Sequence, residues 1–206
     1  MVTGLAGALW ALLLLPPTLV EWGDAPGWAA RLNETGPYVW LAEQLATASI
    51  TNTYAFWGTA AAVAFALIGV SLWIGTRQVG RWGTATSVAT LVGAPVVVAS
   101  YLAEGAPTPW RYLWGSEFFV LVAIGVTGLV AGIVALRRPV PRSSGVLLAA
   151  TLVFIAVGTV AFTYYPHGSL VGLGIEAAIL CAIPLAVTRD PSRGAPTPPR
   201  PTNQFS

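Results

Sequence analysis

Hydrophobic positions in this chain form long unbroken runs rather than alternating or recurring in stripes. Six runs, at about 2–20, 54–75, 83–103, 117–136, 144–163 and 168–188, approach the roughly 20 helical residues needed to cross about 30 Å of hydrocarbon. Inside lipid a helix satisfies its own backbone groups, so each run is predicted as a transmembrane helix and the chain as an all-α, polytopic membrane helix bundle. The first run is the most ambiguous. Pro16-Pro17 interrupts it, and "MVTGLAGALWALLLLPP" also reads as a signal-peptide core. No basic residue precedes the run, and "TLVEWG" is a poor cleavage site, so a retained helix is expected. That gives six spans, or five if the first is cleaved.

The polar positions lie between the runs and organise the chain. Residues 1–188 form the bundle, and 189–206, "RDPSRGAPTPPRPTNQFS", form a tail with little to bury, expected to be disordered and cytoplasmic. A proline-rich docking peptide is the alternative for the tail. Arg77 and Arg81 join spans two and three, Arg137, Arg138 and Arg142 join spans four and five, and Arg189, Arg193 and Arg200 follow span six. All eight fall on one side of a six-span thread, which the positive-inside bias makes cytoplasmic. Both termini are then cytoplasmic and the protein is a multi-pass component of the cell membrane. Arg31 and Arg111 face out, with acidic neighbours at Asp24, Glu34, Glu104 and Glu117.

The outer connections are rich in aromatic residues: Trp22, Trp28, Tyr38 and Trp40 in 21–53, then Trp110, Tyr112 and Trp114. Such rings favour the headgroup level. "YVWLAEQLATASI" sets Tyr38, Leu41, Leu45 and Ala48 on one helical face, predicting a short interfacial helix or an extension of span two. "NET" at Asn33 matches a glycosylation sequon on that side, a motif short enough to arise by chance.

Composition adds to this picture mainly by exclusion. Only 9% of residues are charged and mean hydropathy is +0.71, against about 25% charged in soluble domains, so lipid is the expected solvent. The positive charge is all arginine and scattered, which argues against a nucleic-acid partner. One cysteine, Cys181, and one histidine, His167, preclude an internal disulfide, a CxxC site, a multi-histidine metal centre and a bis-histidine haem. No cofactor or metal is expected, and no Ser-His-Asp order, HExxH, Walker loop, GxGxxG or carboxylate cluster nominates a catalytic residue.

Two patterns concern packing. "RQVGRWGTATSVATLV" from Arg77 and "RPVPRSSGVLLAATLV" from Arg138 share Arg-x-Val-x-Arg and Ala-Thr-Leu-Val at one offset. A duplicated hairpin, spans two and three repeated as four and five, is one reading; arginine loops and Ala/Leu/Val helices converging by composition is the other. Gly128 and Gly132 in span four, and Gly168 and Gly172 in span six, carry small-xxx-small spacing. They are expected to pack within the chain, with a homo-oligomer or a membrane-protein partner as alternatives. Pro95 and Pro184 should each kink a span.

Within the spans Glu176 is the single deep carboxylate. It lies ~12 Å below the outer end of span six at 1.5 Å per residue, close to the midplane. An acidic residue there costs about 2.5–3.5 kcal/mol on the insertion scale. The neutral acid is the expected state, bonded to a hydroxyl such as Ser100, Thr127, Thr151 or Thr159. His167, nine residues earlier, falls on the opposite face in a tight outer turn and is expected to be wet. Glu117 is expected to be solvated or paired with Arg111; Glu104, Arg111, Glu117 and His167 are the weaker outer-face candidates for a polar site.

The expected function is that of a non-catalytic accessory, assembly or scaffold subunit. A small proton- or cation-coupled transporter or channel using Glu176 is the alternative, and a membrane enzyme comes third.

Overall fold

The computed structural model describes residues 1–23, 25–163 and 166–187; the 189–206 tail lies outside them. Among the described residues every regular element is helical. They are α1 (Val2–Trp22), α2 (Gly27–Asn33), α3 (Gly36–Thr47), α4 (Thr53–Thr76), α5 (Arg81–Ala103), α6 (Ser116–Leu136), α7 (Arg142–Ala149), α8 (Thr151–Phe162) and α9 (His167–Val187). Single 3₁₀ turns occupy Arg77–Val79 and Trp110–Leu113. Four helices, α1, α4, α5 and α6, are long and apolar enough to cross a membrane, and the α7–α8 pair makes a fifth crossing if taken as one bent span.

The long helices close into a ring in chain order, α1 against α4, α4 against α5, α5 against α6, α6 against α7 and α8, and α8 against α9. Helix α9 returns to α1 and α4 and is enclosed along most of its length, with Leu170, Leu173, Ala177 and Leu180 fully buried. Lipid supplies no hydrophobic force between helices, so the seams depend on close fit. A Cβ at Gly4 would lie 2.8 Å from Ala178 N, and one at Gly174 would lie 2.8 Å from the Ala8 methyl. These two glycines bring the α1 and α9 backbones together. Elsewhere an aromatic ring fills the space a glycine leaves: Phe65 against Gly93, and Tyr101 against Gly58.

The sequence predicted an interruption at Pro16-Pro17, yet α1 runs through both prolines. Proline at position 17 removes the amide that would have bonded Leu13 O. Tyr38 supplies the missing donor, its hydroxyl donating to Leu13 O at 2.9 Å. The bond draws α3 down against α1 and α4, where Leu45 packs with Leu14 and Trp57. The segment 38–50 therefore belongs to a separate helix seated on the bundle, α3, which stops at Thr47 and is followed by Ser49 at φ +58°, rather than to an extension of α4. Replacing Tyr38 by Phe is expected to cost about 1 kcal/mol and to speed amide exchange in α3, leaving α5 and α6 unchanged. Tyr112→Phe, at an exposed position, is the control.

The fifth run is broken. Helices α7 and α8 meet at Ala150 with a bend of 49°. In the other hairpin of the apparent repeat, α5 passes Thr90 unbroken, Thr90 Oγ1 donating to Thr86 O. The two arginine loops nevertheless meet: Arg138 Nη1 donates to Val79 O at 2.9 Å, closing the 3₁₀ turn of one loop with the side chain of the other. Pro95 lies inside α5 without ending it.

Candidate functional site

Glu176 sits on α9 with its side chain fully enclosed, facing the start of α8. Its Oε1 is 2.8 Å from Thr151 Oγ1, and Oε2 has no hydrogen-bond partner. Of the hydroxyls considered from sequence, Thr151 is the one that reaches it. Ser100 accepts from Gly115 N, Thr127 donates within α6, and Thr159 pairs with Ser169.

The break at Ala150 explains the geometry. It leaves Thr151 on the first turn of α8, where Oγ1 also lies 2.7 Å from Leu148 O. A threonine hydroxyl has one hydrogen. Leu148 O can only accept, so if Thr151 donates there, the Thr151–Glu176 contact needs its hydrogen from the carboxyl group. A neutral Glu176 donating to Thr151 Oγ1, with Thr151 donating to Leu148 O, gives each of these two contacts its own hydrogen and leaves only Oε2 without a partner. A carboxylate would compete with Leu148 O for a single hydrogen, in a setting where an unpaired charge is costly. The site is therefore a polar link between α9 and the α7–α8 break, with a geometry that suits a neutral acid.

Small residues let this link form. A side chain at Gly128 of α6 would overlap Thr151, and one at Gly132 would overlap the Ala149 backbone. On the other side of α8, Gly168 would place a Cβ 2.7 Å from Gly158 O, and Gly172 would overlap Phe154 O. All four glycines singled out from the sequence face the α7–α8 segment, two from α6 and two from α9.

His167 departs from expectation. It opens α9 and is fully buried rather than wet, with Nε2 3.3 Å from Trp57 O. The start of α9 is tucked behind α4, which excludes water from a residue that in sequence belongs to a turn. Glu117 also departs: it is only 5% exposed, and Oε2 lacks a partner, so it is neither solvated nor paired with Arg111. Glu104 and Arg111 remain exposed. The four outer-face candidates thus do not assemble into one polar site.

Sequence reasoning did not single out Ser71, whose hydroxyl lies 3.4 Å from Cys181 Sγ, while Sγ–H donates to Ser71 O at 3.1 Å. It also missed the cavity that Glu117 lines with Trp22, Tyr54, Tyr101 and Trp114. Only the ring closure of the helices brings those residues together. Among the described residues no three His, Cys, Asp or Glu side chains group as a metal would require. Compared with protein-family models, curated proteins and solved structures, the chain matches none.

Proposed function

We propose that the chain is a six-span protein of the cell membrane, with both termini cytoplasmic, that serves as a non-catalytic accessory subunit beside another membrane protein. The six-span thread takes α7 and α8 as one broken span and α9, 21 residues long, as the last. The seating of α1 between α4 and α9 supports its counting as a span. The orientation rests on the arginine loops, which Arg138 ties together at one end of the bundle. The hairpin duplication keeps its support in those loops alone, since the break at Ala150 has no counterpart in α5.

One observation carries the accessory role. Helix α8 buries only Thr151, Ile155 and Gly158 in its own bundle, leaving Val153, Val157 and Val160 exposed. Bent away at Ala150, it opens a groove of about 320 Å³ against α6, walled by Phe118, Leu121, Val122, Leu152 and Ile155. Ala156, Thr159 and Ser169 complete the lining with small residues of the kind through which transmembrane helices approach one another. Purification in a mild detergent followed by native mass spectrometry tests the reading. A stoichiometric protein partner is expected, and Val157→Trp together with Val160→Trp should release it. A protein that carries only lipid, with or without those substitutions, would refute the accessory role.

A second reading has its own observation: the buried Glu176 carboxyl group lies 2.8 Å from Thr151 Oγ1 beside a helix break, and broken helices are where transporters place their coupling-ion sites. Here Glu176 lines neither the groove nor the cavity beside Glu117. Proton uptake in proteoliposomes that survives Glu176→Gln unchanged would remove this alternative.

A further inference from the structure

At the end of the bundle opposite the arginine loops, α1, α4, α5 and α6 enclose a cavity of about 190 Å³ lined by Trp22, Tyr54, Tyr101, Trp114, Glu117 and Thr163. Three of the rings form a continuous wall. Trp22 stacks on Tyr54 at 5.9 Å, and Tyr54 meets Tyr101 at 5.0 Å. The remaining lining is set by the turn into α6. Gly115, at φ +81°, reverses the chain, and its amide donates to Ser100 Oγ at 2.8 Å, pinning the start of α6 against α5. Glu117, two residues on, is thereby brought into the cavity wall. It is 5% exposed, and its Oε2 has no hydrogen bond.

Glu117 thus brings a carboxyl group to the wall of a cavity that is otherwise largely aromatic, and this combination limits what suits the cavity. Water is held where it finds two to four polar partners, and tyrosine, threonine and carboxyl groups stand in this lining beside the rings, so it is the rings that set the cavity apart. A calcium or magnesium ion needs about six oxygen ligands, and there is one carboxylate. An alkylammonium group fits both features. Its charge lies against the carboxylate, and its polarised methyl or methylene groups lie against aromatic rings, the combination that recognises choline-like ligands. The size agrees too, since an engineered cavity of ~150 Å³ holds a benzene molecule.

We infer that this cavity is a binding site for an alkylammonium cation, with Glu117 as the counter-charge and Trp22, Tyr54 and Tyr101 as the aromatic wall. The inference is independent of the accessory role. The cation has two possible sources, a soluble amine or the headgroup of a zwitterionic lipid, and the same chemistry serves both.

Choline chloride titrated into the purified protein, in a maltoside detergent and in nanodiscs of phosphatidylglycerol alone, provides the test, with sodium chloride as the blank. Saturable heat and a tryptophan fluorescence change are expected. Binding should weaken at least tenfold in Glu117→Gln and severalfold in Trp22→Leu. The second variant alters a half-exposed side chain and keeps the test decisive if the first fails to fold. Adding phosphatidylethanolamine to the nanodiscs separates the sources. If it abolishes choline binding and is itself retained in native mass spectra of the wild type but not of the variants, the site takes a lipid headgroup. If choline binding is unaffected, the ligand is soluble. Choline indistinguishable from sodium chloride, with no variant-dependent lipid retention, overturns the site. So does binding that both variants leave unchanged.

Discussion

Gly172→Leu is expected to prevent α9 from docking on α8, costing about 3 kcal/mol or more and removing most of the folded protein. The reason is that the neighbour at this position is backbone. A Cβ at Gly172 already overlaps Phe154 O, and a reciprocal contact one turn away sets Gly158 against Gly168. Side chains can swing aside, whereas a carbonyl in a helix cannot move without carrying its helix. Thermal unfolding in detergent, followed by the monodisperse fraction on size exclusion, measures the loss. Gly36→Leu serves as the control, because a Cβ there meets nothing within 4 Å. A Gly172→Leu protein as stable as that control would mean α8 and α9 are not packed backbone to backbone.

The second large effect separates two substitutions at one residue. Glu176→Ala should destabilise by about 2–4 kcal/mol, from the space left in a closed interface and the loss of the link to Thr151. Glu176→Gln should cost less than about 1 kcal/mol. A glutamine amide has the shape of a neutral carboxylic acid and offers an N–H to Thr151 Oγ1 where the acid offers its O–H, leaving the threonine hydrogen for Leu148 O. Unfolding curves of the two variants in the same detergent decide the matter. Equal, large losses would show that a charge matters at this position and that the proton count at Thr151 has been misassigned.

How legible each feature was in the sequence depends on whether local chemistry or tertiary closure produces it. Long apolar runs report helices because lipid demands internal hydrogen bonding, so α1, α4, α5 and α6 appear near their expected positions. The break at Ala150 was not visible: "LAATL" contains neither proline nor glycine, and the bend goes with Thr151 turning to Leu148 O and Glu176. The converse holds at Pro16-Pro17, where local chemistry predicted an interruption and a hydroxyl from Tyr38 restored the continuity. The depth of Glu176 followed from its place in the run, whereas its partner had to be found in three dimensions. Glu117 was the least legible. Beside Arg111 in sequence it reads as a surface pair, and only the convergence of Trp22, Tyr54 and Tyr101 from three other helices encloses it. His167 was misread for the same reason, since the α4 wall that covers it lies about a hundred residues earlier.

The seclusion of Cys181 has a practical consequence. As the chain's sole thiol, buried between α9 and α4 and donating to Ser71 O, it should be silent toward maleimides while the bundle is intact. Single cysteines introduced at Gly36, Tyr112 or Arg142 can then be labelled from either side of sealed vesicles in an otherwise native sequence, reading the thread of the chain one loop at a time. The same sulfur works in reverse as an internal gauge. It becomes reactive when α9 parts from α4, so the rate of its modification measures how often the central helix lets go.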